Sequence, residues 1–442
     1  MTTIDQLYNI YLQHPIISTD TRNIGAGSIF FALKGDKFDA NTFAQQSIEA
    51  GAAYAVIDNP SYATDDRFLL VDDVLTTLQD LAAHHRRQLQ IPVIGLTGTN
   101  GKTTTKELIN SVLSQRFKTL ATQGNLNNHI GVPLTILKIN NTHQMAVIEM
   151  GANHQKEIAL LCSIAQPTHG LITNVGKAHL EGFGGVEGVK KGKGELYDYL
   201  LSSDGVAFIN SDDAVLKQMQ QARGLKNIVY YGKAPNTENT VSGRLLESST
   251  LLTLKWNDQK SVSYNVKSQL TGAYNLDNIL AAICIGTYFE LTADEINNGI
   301  ESYQPTNNRS QLMQTATNTL ICDFYNANPS SMFVAIENLD KMPAARKVLI
   351  LGDMFEMGDD AAVEHTAVIR KAMDAHVTER IFIGKEFSSQ QTEVEGSDLS
   401  SATFYLTADD AITGLRTNTI KDATILIKGS RGMALERLVE LL

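Results

Sequence analysis

Apolar positions along the chain fall into short unbroken runs and longer stretches with helical spacing, and the way these alternate changes character twice. From residue 1 to 88, β-rich runs (SIFFAL, AAYAVID, FLLV) alternate with helix-like pieces such as NTFAQQSIEAGA, which predicts a small α/β domain. A helical stretch, VLTTLQDLAAHHRRQLQ, then leads to Pro92. From 89 to 307, the runs PVIGLTG, QMAVIEMG, HGLITNV and GVAFIN have the continuous apolar character of parallel strands covered on both faces. GRLLESSTLLTLKWNDQKSVSYNV instead reads as antiparallel hairpins with Asn257-Asp258 at a turn, and NLDNILAAICIGTYF follows as a helix. From 308 to 442, TLICDFY, KVLILGDM, RIFIGK, ATFYL and TILIKGS alternate with helical segments in a Rossmann-like pattern. The expected fold is therefore α/β in three domains: a small N-terminal one, a central P-loop ATPase-like one with an antiparallel β segment, and a C-terminal Rossmann-like one.

Several of these strands end in residues able to meet a ligand: Asp323, Gly352-Asp353, Gly384 and Lys428-Gly429-Ser430. Open α/β sheets bind at the carboxyl ends of their strands, so the third domain is expected to face a substrate. The strongest chemical signal lies in the second domain, in GLTGTNGKTTTKELI. An apolar strand runs into a glycine-rich turn, a Lys-Thr pair and then a helix. Glycines let backbone N–H groups converge on phosphate oxygens, and the helix N-terminus adds a favourable dipole. Gly98, Thr99, Asn100, Gly101, Lys102, Thr103 and Thr104 form this candidate grip, with Lys102 directed to the phosphates and the Thr103 hydroxyl to Mg²⁺. The long form G-x-x-x-x-G-K-[ST] asks for glycine where Leu96 stands, leaving the shorter G-x-x-G-K-T core. ATP is the expected nucleotide, because no guanine-reading Asn-Lys-x-Asp is present.

A bound nucleotide also needs a carboxylate for magnesium. Glu149 ends the strand QMAVIEMG and is the candidate; its alternative is a solvated strand-end glutamate. His179 follows another strand end, where a lone histidine is more often structural. The lysines of VKKGKGELYDYL, on periodicity alone, form a solvated helix face. Asn275 and Asn278 lie one helical turn apart and suit either a base or ribose contact or, for Asn275, a helix cap.

Composition narrows the class. The 442 residues are 43% hydrophobic and 19% charged, a globular balance with room for more than one core. No apolar run is long enough to span a bilayer, and MTTIDQLYNIYLQHP lacks the basic start and apolar core of a signal peptide. Three widely spaced cysteines fit a reducing cytoplasm better than a disulfide framework or zinc site. A net charge of -11 argues against tracking a nucleic-acid backbone. Nothing demands more than a monomer.

Together these pieces resemble the Mur ligases, the ATP-dependent amide-forming enzymes of peptidoglycan synthesis, over essentially the whole chain. STDTR and GSIFFALKGDKFDANTFAQQSIEAGA look like the family's UDP-binding N-terminal domain. TGTNGKTTTKE, TQGNLNNHIGVPLTIL, EMGANHQKEI and TNVGKAHLEGFG follow its central domain, and DFYNANPSSM, LGDMFEMG and KGSRGMALE its C-terminal domain. The tripled-threonine turn is shared with folylpolyglutamate synthases. YNANP and LGDMFEMG point to the branch adding D-alanyl-D-alanine, and the Asp-Asn-Pro-Arg of the third-residue-adding branch is absent.

The resemblance implies a ligase using ATP and two Mg²⁺ ions, with UDP-MurNAc-tripeptide and D-alanyl-D-alanine as substrates and an acyl phosphate between them. Lys102, His179, Lys193 and Arg309 are then the expected catalytic residues. Thr103, Glu149, His179 and Lys193 take metal positions, Lys193 as a carbamate. Asn275, Asn278, Arg309 and Asp323 would contact nucleotide, although Tyr274 stands where many relatives have histidine. Asn125, Asn127 and Asn128 would meet the UDP-sugar, and Asp20, Arg22, Lys34 and Asp39 its uridine end, where turn and cap duties are the alternative. His365 is a candidate general base, with a surface histidine as the equal alternative. Competing classes are a folylpolyglutamate-type ligase, a P-loop switch and a Rossmann oxidoreductase; no G-x-G-x-x-G after a strand supports the last.

Overall fold

Three consecutive stretches of chain each build their own main sheet. The computed structural model describes residues 1–233, 237–248, 251–392 and 401–442. In the first stretch, Ile17–Ser18, Ile29–Phe31, Tyr54–Ile57 and Phe68–Leu70 pair in parallel in that order. Helix Ile4–Gln13 opens with a capping box: the Thr3 hydroxyl accepts from the Gln6 N–H, and the Gln6 side chain accepts from the Thr3 N–H. Helix Val74–Gln88, capped by Asp73, belongs to this stretch in sequence but packs into a core shared with the second. Buried polar groups need partners, and here those partners lie across the junction. Tyr11 Oη donates to the Leu137 carbonyl at 2.6 Å, His85 Nε2 to that of Ile139 at 2.7 Å, and Arg86 Nε to that of Ala165 at 3.0 Å.

Among the described residues, the central sheet has nine strands. Their order is Thr119–Ala121, Met145–Glu149, Val93–Thr97, His169–Ile172, Val206–Asn210, Ile228–Gly232, Asn239–Glu247, Thr253–Asn257 and Ser263–Lys267. Pairing is parallel as far as Asn239–Glu247 and antiparallel through the last two strands. The turn at Asn257-Asp258 forms as the sequence predicts, with Asp258 Oδ1 accepting from the Lys260 and Val262 N–H groups at 2.9 Å. Residues 249 and 250, within the predicted hairpin region, lie outside the described residues. Because Asn239–Glu247 also pairs with Ile228–Gly232, the antiparallel segment extends the parallel sheet. Helix Asn275–Tyr288 packs on helix Lys102–Leu113 through Leu108, Ile109, Val112, Ile279 and Ile283.

The third sheet orders as Gln311–Gln314, Thr319–Cys322, Thr424–Lys428, Lys347–Gly352, Glu379–Ile383 and Ala402–Tyr405, antiparallel only at its first pair. Apolar clusters cover both of its faces. Among the described residues, no helix is long and apolar enough to cross a membrane. Cys162, Cys284 and Cys322 are buried free thiols.

Candidate active site

Strand Val93–Thr97 lies between Met145–Glu149 and His169–Ile172, the point where the chain's path across the central sheet reverses direction. A crevice forms at such switch points. The register places Leu96 beside Glu149 and Thr97 beside Ile172, so the glycine-rich turn, Glu149 and Thr173-Asn174 emerge side by side. The turn needs its glycines. Gly98 and Gly101 have φ of 145° and 78°, and a Cβ would come 2.0 Å from Thr173 Oγ1 at the first and 2.7 Å from Asn278 Oδ1 at the second. Asn174 binds the turn twice, accepting the Asn100 N–H at Oδ1 (3.0 Å) and donating from Nδ2 to the Asn100 carbonyl (3.0 Å). Thr173 Oγ1 donates to the same carbonyl at 2.6 Å. Neither residue is among the expected site residues, although both open the motif TNVGKAHLEGFG at a strand end. Helix Lys102–Leu113 begins at Gly101 without a side-chain cap, which leaves its first N–H groups for an anion.

Lys102 folds back on the turn, donating to the carbonyls of Gly98 at 2.8 Å and Thr99 at 3.1 Å. Burial lowers its pKa to about 8, opposed by Glu149 and assisted by Arg309. Glu149 is 1% exposed. Its Oε1 accepts from Asn127 Nδ2 at 2.8 Å and Thr103 Oγ1 at 3.2 Å, and its N–H donates to Thr122 Oγ1 at 2.9 Å. Its Oε2 is buried without a partner. A carboxylate oxygen out of water and unpaired is costly, and a hard cation is the partner that suits it. The Thr103 hydroxyl and Glu149 thus fit a magnesium ion completed by phosphate and water oxygens. Among the described residues, no three His, Cys, Asp or Glu side chains converge on one point.

Lys193 departs from the solvated face expected of its helix. It is 2% exposed, whereas Lys191 on the same helix is exposed. Gly192 lets helix Val186–Ser202 close on Phe183 beside Lys193, since a Cβ there would stand 2.4 Å from that ring; a Cβ at Gly194 would meet only the movable end of Arg223, at 2.2 Å. The ammonium donates to the Ala152 carbonyl at 3.2 Å and sits 5.1 Å from the Phe183 ring centre. Burial pushes its pKa well down, Lys102 adds to this, and Glu157 and Glu195 oppose it.

His179 Nδ1 pairs with Glu356 of the third stretch. Both residues hold left-handed backbone, φ 52° and 61°. Burial lowers the His179 pKa, Glu356 raises it, and Lys102 and Lys193 lower it further.

Asn275 does not cap its helix, a correction to one of its two readings. The cap position is Tyr274, and Asn275 Nδ2 donates back to the Thr271 carbonyl at 2.7 Å. Asn278 Nδ2 donates to Asn275 Oδ1 at 2.8 Å, and its Oδ1 accepts from Thr105 Oγ1 at 3.0 Å. Both asparagines brace the helix behind the turn while lining the cleft.

From the third stretch, the Arg309 guanidinium stacks 3.9 Å over the Tyr325 ring, with its Nε buried and unpartnered. Asp323 accepts from the Ser310 N–H at 3.1 Å and from Lys428 Nζ at 2.7 Å. Tyr274 Oη and Ser310 Oγ, 2.6 Å apart, join the second and third stretches. These groups, with Lys102, Glu149, His179, Asn125, Asn127 and Asn128, line one cleft of about 1180 Å³. Asn128 Oδ1 accepts from the Ile130 and Gly131 N–H groups at 3.1 and 2.9 Å.

Asp20, Arg22, Lys34 and Asp39 do not line it. Asp20 and Arg22 pair with each other at 2.7 Å, Lys34 pairs with Asp58 at 2.8 Å, and Asp39 accepts from the Asn41 N–H at 2.9 Å. His365 is corrected outright. It is 0% exposed, its Nδ1–H donates to the Ala361 carbonyl at 2.7 Å, and its Nε2 accepts from the Met354 N–H at 3.0 Å. No lone pair is left for a base, and the ring is not at the surface.

Comparison with known proteins places this arrangement. Residues 96–286 match the Mur ligase middle domain, and residues 308–431 match the Mur ligase, glutamate ligase domain. The chain is 36% identical over 430 residues to the UDP-N-acetylmuramoyl-tripeptide–D-alanyl-D-alanine ligase of Escherichia coli K12, covering 96% of this chain and 93% of that one. A crystal structure of MurF from Acinetobacter baumannii superposes with a TM-score of 0.85 at 32% identity, covering 96% and 92% of the two chains. MurF ligase from Thermotoga maritima in complex with ADP superposes at 0.82, with 26% identity and 96% of each chain covered. Similarity that runs through the turn, the buried carboxylate strand and the third sheet alike leaves one assignment: the chain belongs to the Mur ligase family.

Proposed function

We propose that this chain is an ATP-dependent carboxylate–amine ligase that joins D-alanyl-D-alanine to UDP-N-acetylmuramoyl-tripeptide, forming the pentapeptide precursor of peptidoglycan. The observation that carries this reading is the meeting, in one cleft, of the phosphate turn, the half-paired Glu149 and the Arg309 of the facing sheet, in a chain whose full-length relatives are named for that reaction. Domain boundaries near 88/89 and 307/308 follow from the same reading. Nucleotide-activated substrates and buried free thiols fit a cytoplasmic enzyme, and a monomer suffices.

A carboxylate does not acylate an amine in water because oxide is too poor a leaving group. An oxygen of the tripeptide's terminal carboxylate attacks the γ-phosphorus of ATP, the bond to the β-γ bridging oxygen breaks, and ADP leaves an acyl phosphate. The dipeptide amine then adds to the acyl carbon, loses a proton, and phosphate departs as the amide forms. The first step brings two anions together. The amides of Gly98 to Thr104 would gather the phosphates, and Lys102 would exchange its two carbonyl partners for phosphate oxygens. Arg309, its Nε unpartnered, would reach the transferred group. Asp323, steadied by Lys428, would take the ribose, while Asn275 and Asn278 shape the wall against the nucleoside. Asn125, Asn127 and Asn128 would meet the UDP-sugar, and Asp20, Arg22, Lys34 and Asp39 its uridine end.

Thr103 and Glu149 would hold one Mg²⁺, and Glu149, His179 and a carbamylated Lys193 a second. When bound, these ions supply positive charge against the triphosphate. Lys193 suits carbamylation because the reaction with carbon dioxide needs a neutral amine, and burial disfavours its charged form. Closure of the C-terminal domain over the central one would exclude water from the acyl phosphate.

The reaction is tested with ¹⁸O in the tripeptide's terminal carboxylate. One labelled oxygen should appear in released phosphate, dependent on both peptide substrates; unlabelled phosphate would overturn the reading. Arg309→Ala should lower kcat by roughly 100-fold, with ATP affinity little changed, since the stacked arginine engages the group in transfer. A loss confined to ATP affinity would reassign it to ground-state binding.

A further inference from the structure

Among the contacts that cross from the third stretch to the second, one lands on the phosphate turn itself. Asn328, in YNANPSSM, donates from Nδ2 to Asn100 Oδ1 at 2.8 Å. The same side chain caps helix Pro329–Lys341: its Oδ1 accepts from the Ser331 N–H at 2.9 Å, and the Ser331 hydroxyl returns a bond from the Asn328 N–H at 3.1 Å. One amide therefore fixes the start of a C-terminal helix with its oxygen and touches the nucleotide turn with its nitrogen. The surroundings hold both partners in place. The backbone of Asn100 is held by Asn174 and Thr173. Beside it, the Lys177 N–H donates to Ser330 Oγ at 3.3 Å, and a Cβ on Gly176 would stand 3.1 Å from that same oxygen. Lys177 Nζ reaches Glu364 at 2.6 Å. The helix start thus rests directly on the loop leaving the neighbouring strand.

We propose that Asn328 is a positioning residue for phosphoryl transfer: it ties the seated C-terminal domain to the phosphate turn, so that domain closure and ordering of the turn are a single event. This rests on the ligase reading above. The amide suits the task because cap and bridge use opposite ends of one planar group, so the turn is steadied only while the helix start is docked. In-line transfer is sensitive to small displacements, and loss of the bridge should appear in turnover rather than in nucleotide affinity.

The test separates the two ends of the amide. Asn328→Ser keeps a helix cap, because serine caps as well as asparagine, but its hydroxyl is too short to bridge to Asn100. Expected are an unchanged thermal midpoint, nucleotide affinity within about twofold, and a kcat lowered by roughly 10- to 100-fold. Asn100→Ala should give a similar loss, and the double variant should be no worse than either single one, as for two ends of one contact. Hydrogen exchange at the Thr99–Gly101 amides, with a non-hydrolysable ATP analogue and the UDP-tripeptide, should show protection in the parent protein and less in N328S. A parent-like kcat in N328S, or losses that multiply in the double variant, would overturn the proposal. If N328S lowers the thermal midpoint, Asn100→Ala, which leaves the cap intact, carries the same comparison. Failure of the parent protein to form ADP with both substrates strikes the ligase reading instead; parent turnover beside an unimpaired N328S strikes only the role of Asn328.

Discussion

Lys193→Ala is expected to abolish measurable turnover, a loss of at least about 100- to 1000-fold, and short carboxylic acids added to that variant should restore part of it. The amine is 2% exposed and has one hydrogen bond, to Ala152. A bare buried ammonium near Lys102 would add like charge beside the phosphate turn, whereas a carbamate presents oxygen. Lys193→Met separates chemistry from folding. It should lose the same activity and keep or raise the thermal midpoint, because an apolar chain of similar length replaces a poorly paired buried cation. The pH dependence has a definite sign. In the uncarbamylated chain, burial holds the folded pKa of Lys193 below its unfolded value, so the folded chain binds fewer protons there, and without carbon dioxide stability rises with pH across the interval up to about pH 10. The methionine variant should lose that contribution to the slope of midpoint against pH. Full activity in Lys193→Ala would remove the carbamate from the mechanism.

Glu149→Gln should divide activity from stability in the same way. Turnover is expected to fall by roughly 100- to 1000-fold, while the thermal midpoint without metal or nucleotide stays level or rises. Glu149 is a carboxylate 1% exposed with Oε2 unpartnered. Glutamine can still accept from Thr103 and Asn127 at one oxygen, and it removes the desolvated charge. Active sites hold such groups at the expense of stability. Electron paramagnetic resonance of Mn²⁺ with the nucleotide supplies a readout besides activity: the variant should bind the ion more weakly. Unaltered Mn²⁺ binding together with full turnover would show that Glu149 is a buttress and not a metal ligand.

Much of this is legible in the amino-acid sequence. Apolar runs flanked by turn residues marked the buried parallel strands, because a strand covered on both faces has no polar side to show. The glycine turn was legible because its geometry excludes other residues, as the contacts that a Cβ would make at Gly98 and Gly101 confirm. The hairpin turn at Asp258 followed from the same local chemistry. These are properties of neighbours in sequence.

What the chain order could not express is distance between segments. Lys193 reads as a solvated lysine until helix packing around Gly192 takes it under, and His365 reads as an available base until Ala361 and Met354 occupy both ring nitrogens. Thr173 and Asn174 lie in TNVGKAHLEGFG and Asn328 in YNANP, but neither motif names the partner of these side chains; they matter because sheet register and domain docking bring them to Asn100. Local sequence thus determined the strands, the phosphate turn and the class of chemistry, through backbone sterics and apolar spacing that act over a few residues. Tertiary structure alone decided which polar groups lose their water and which partners they find, because burial is a property of the packed whole.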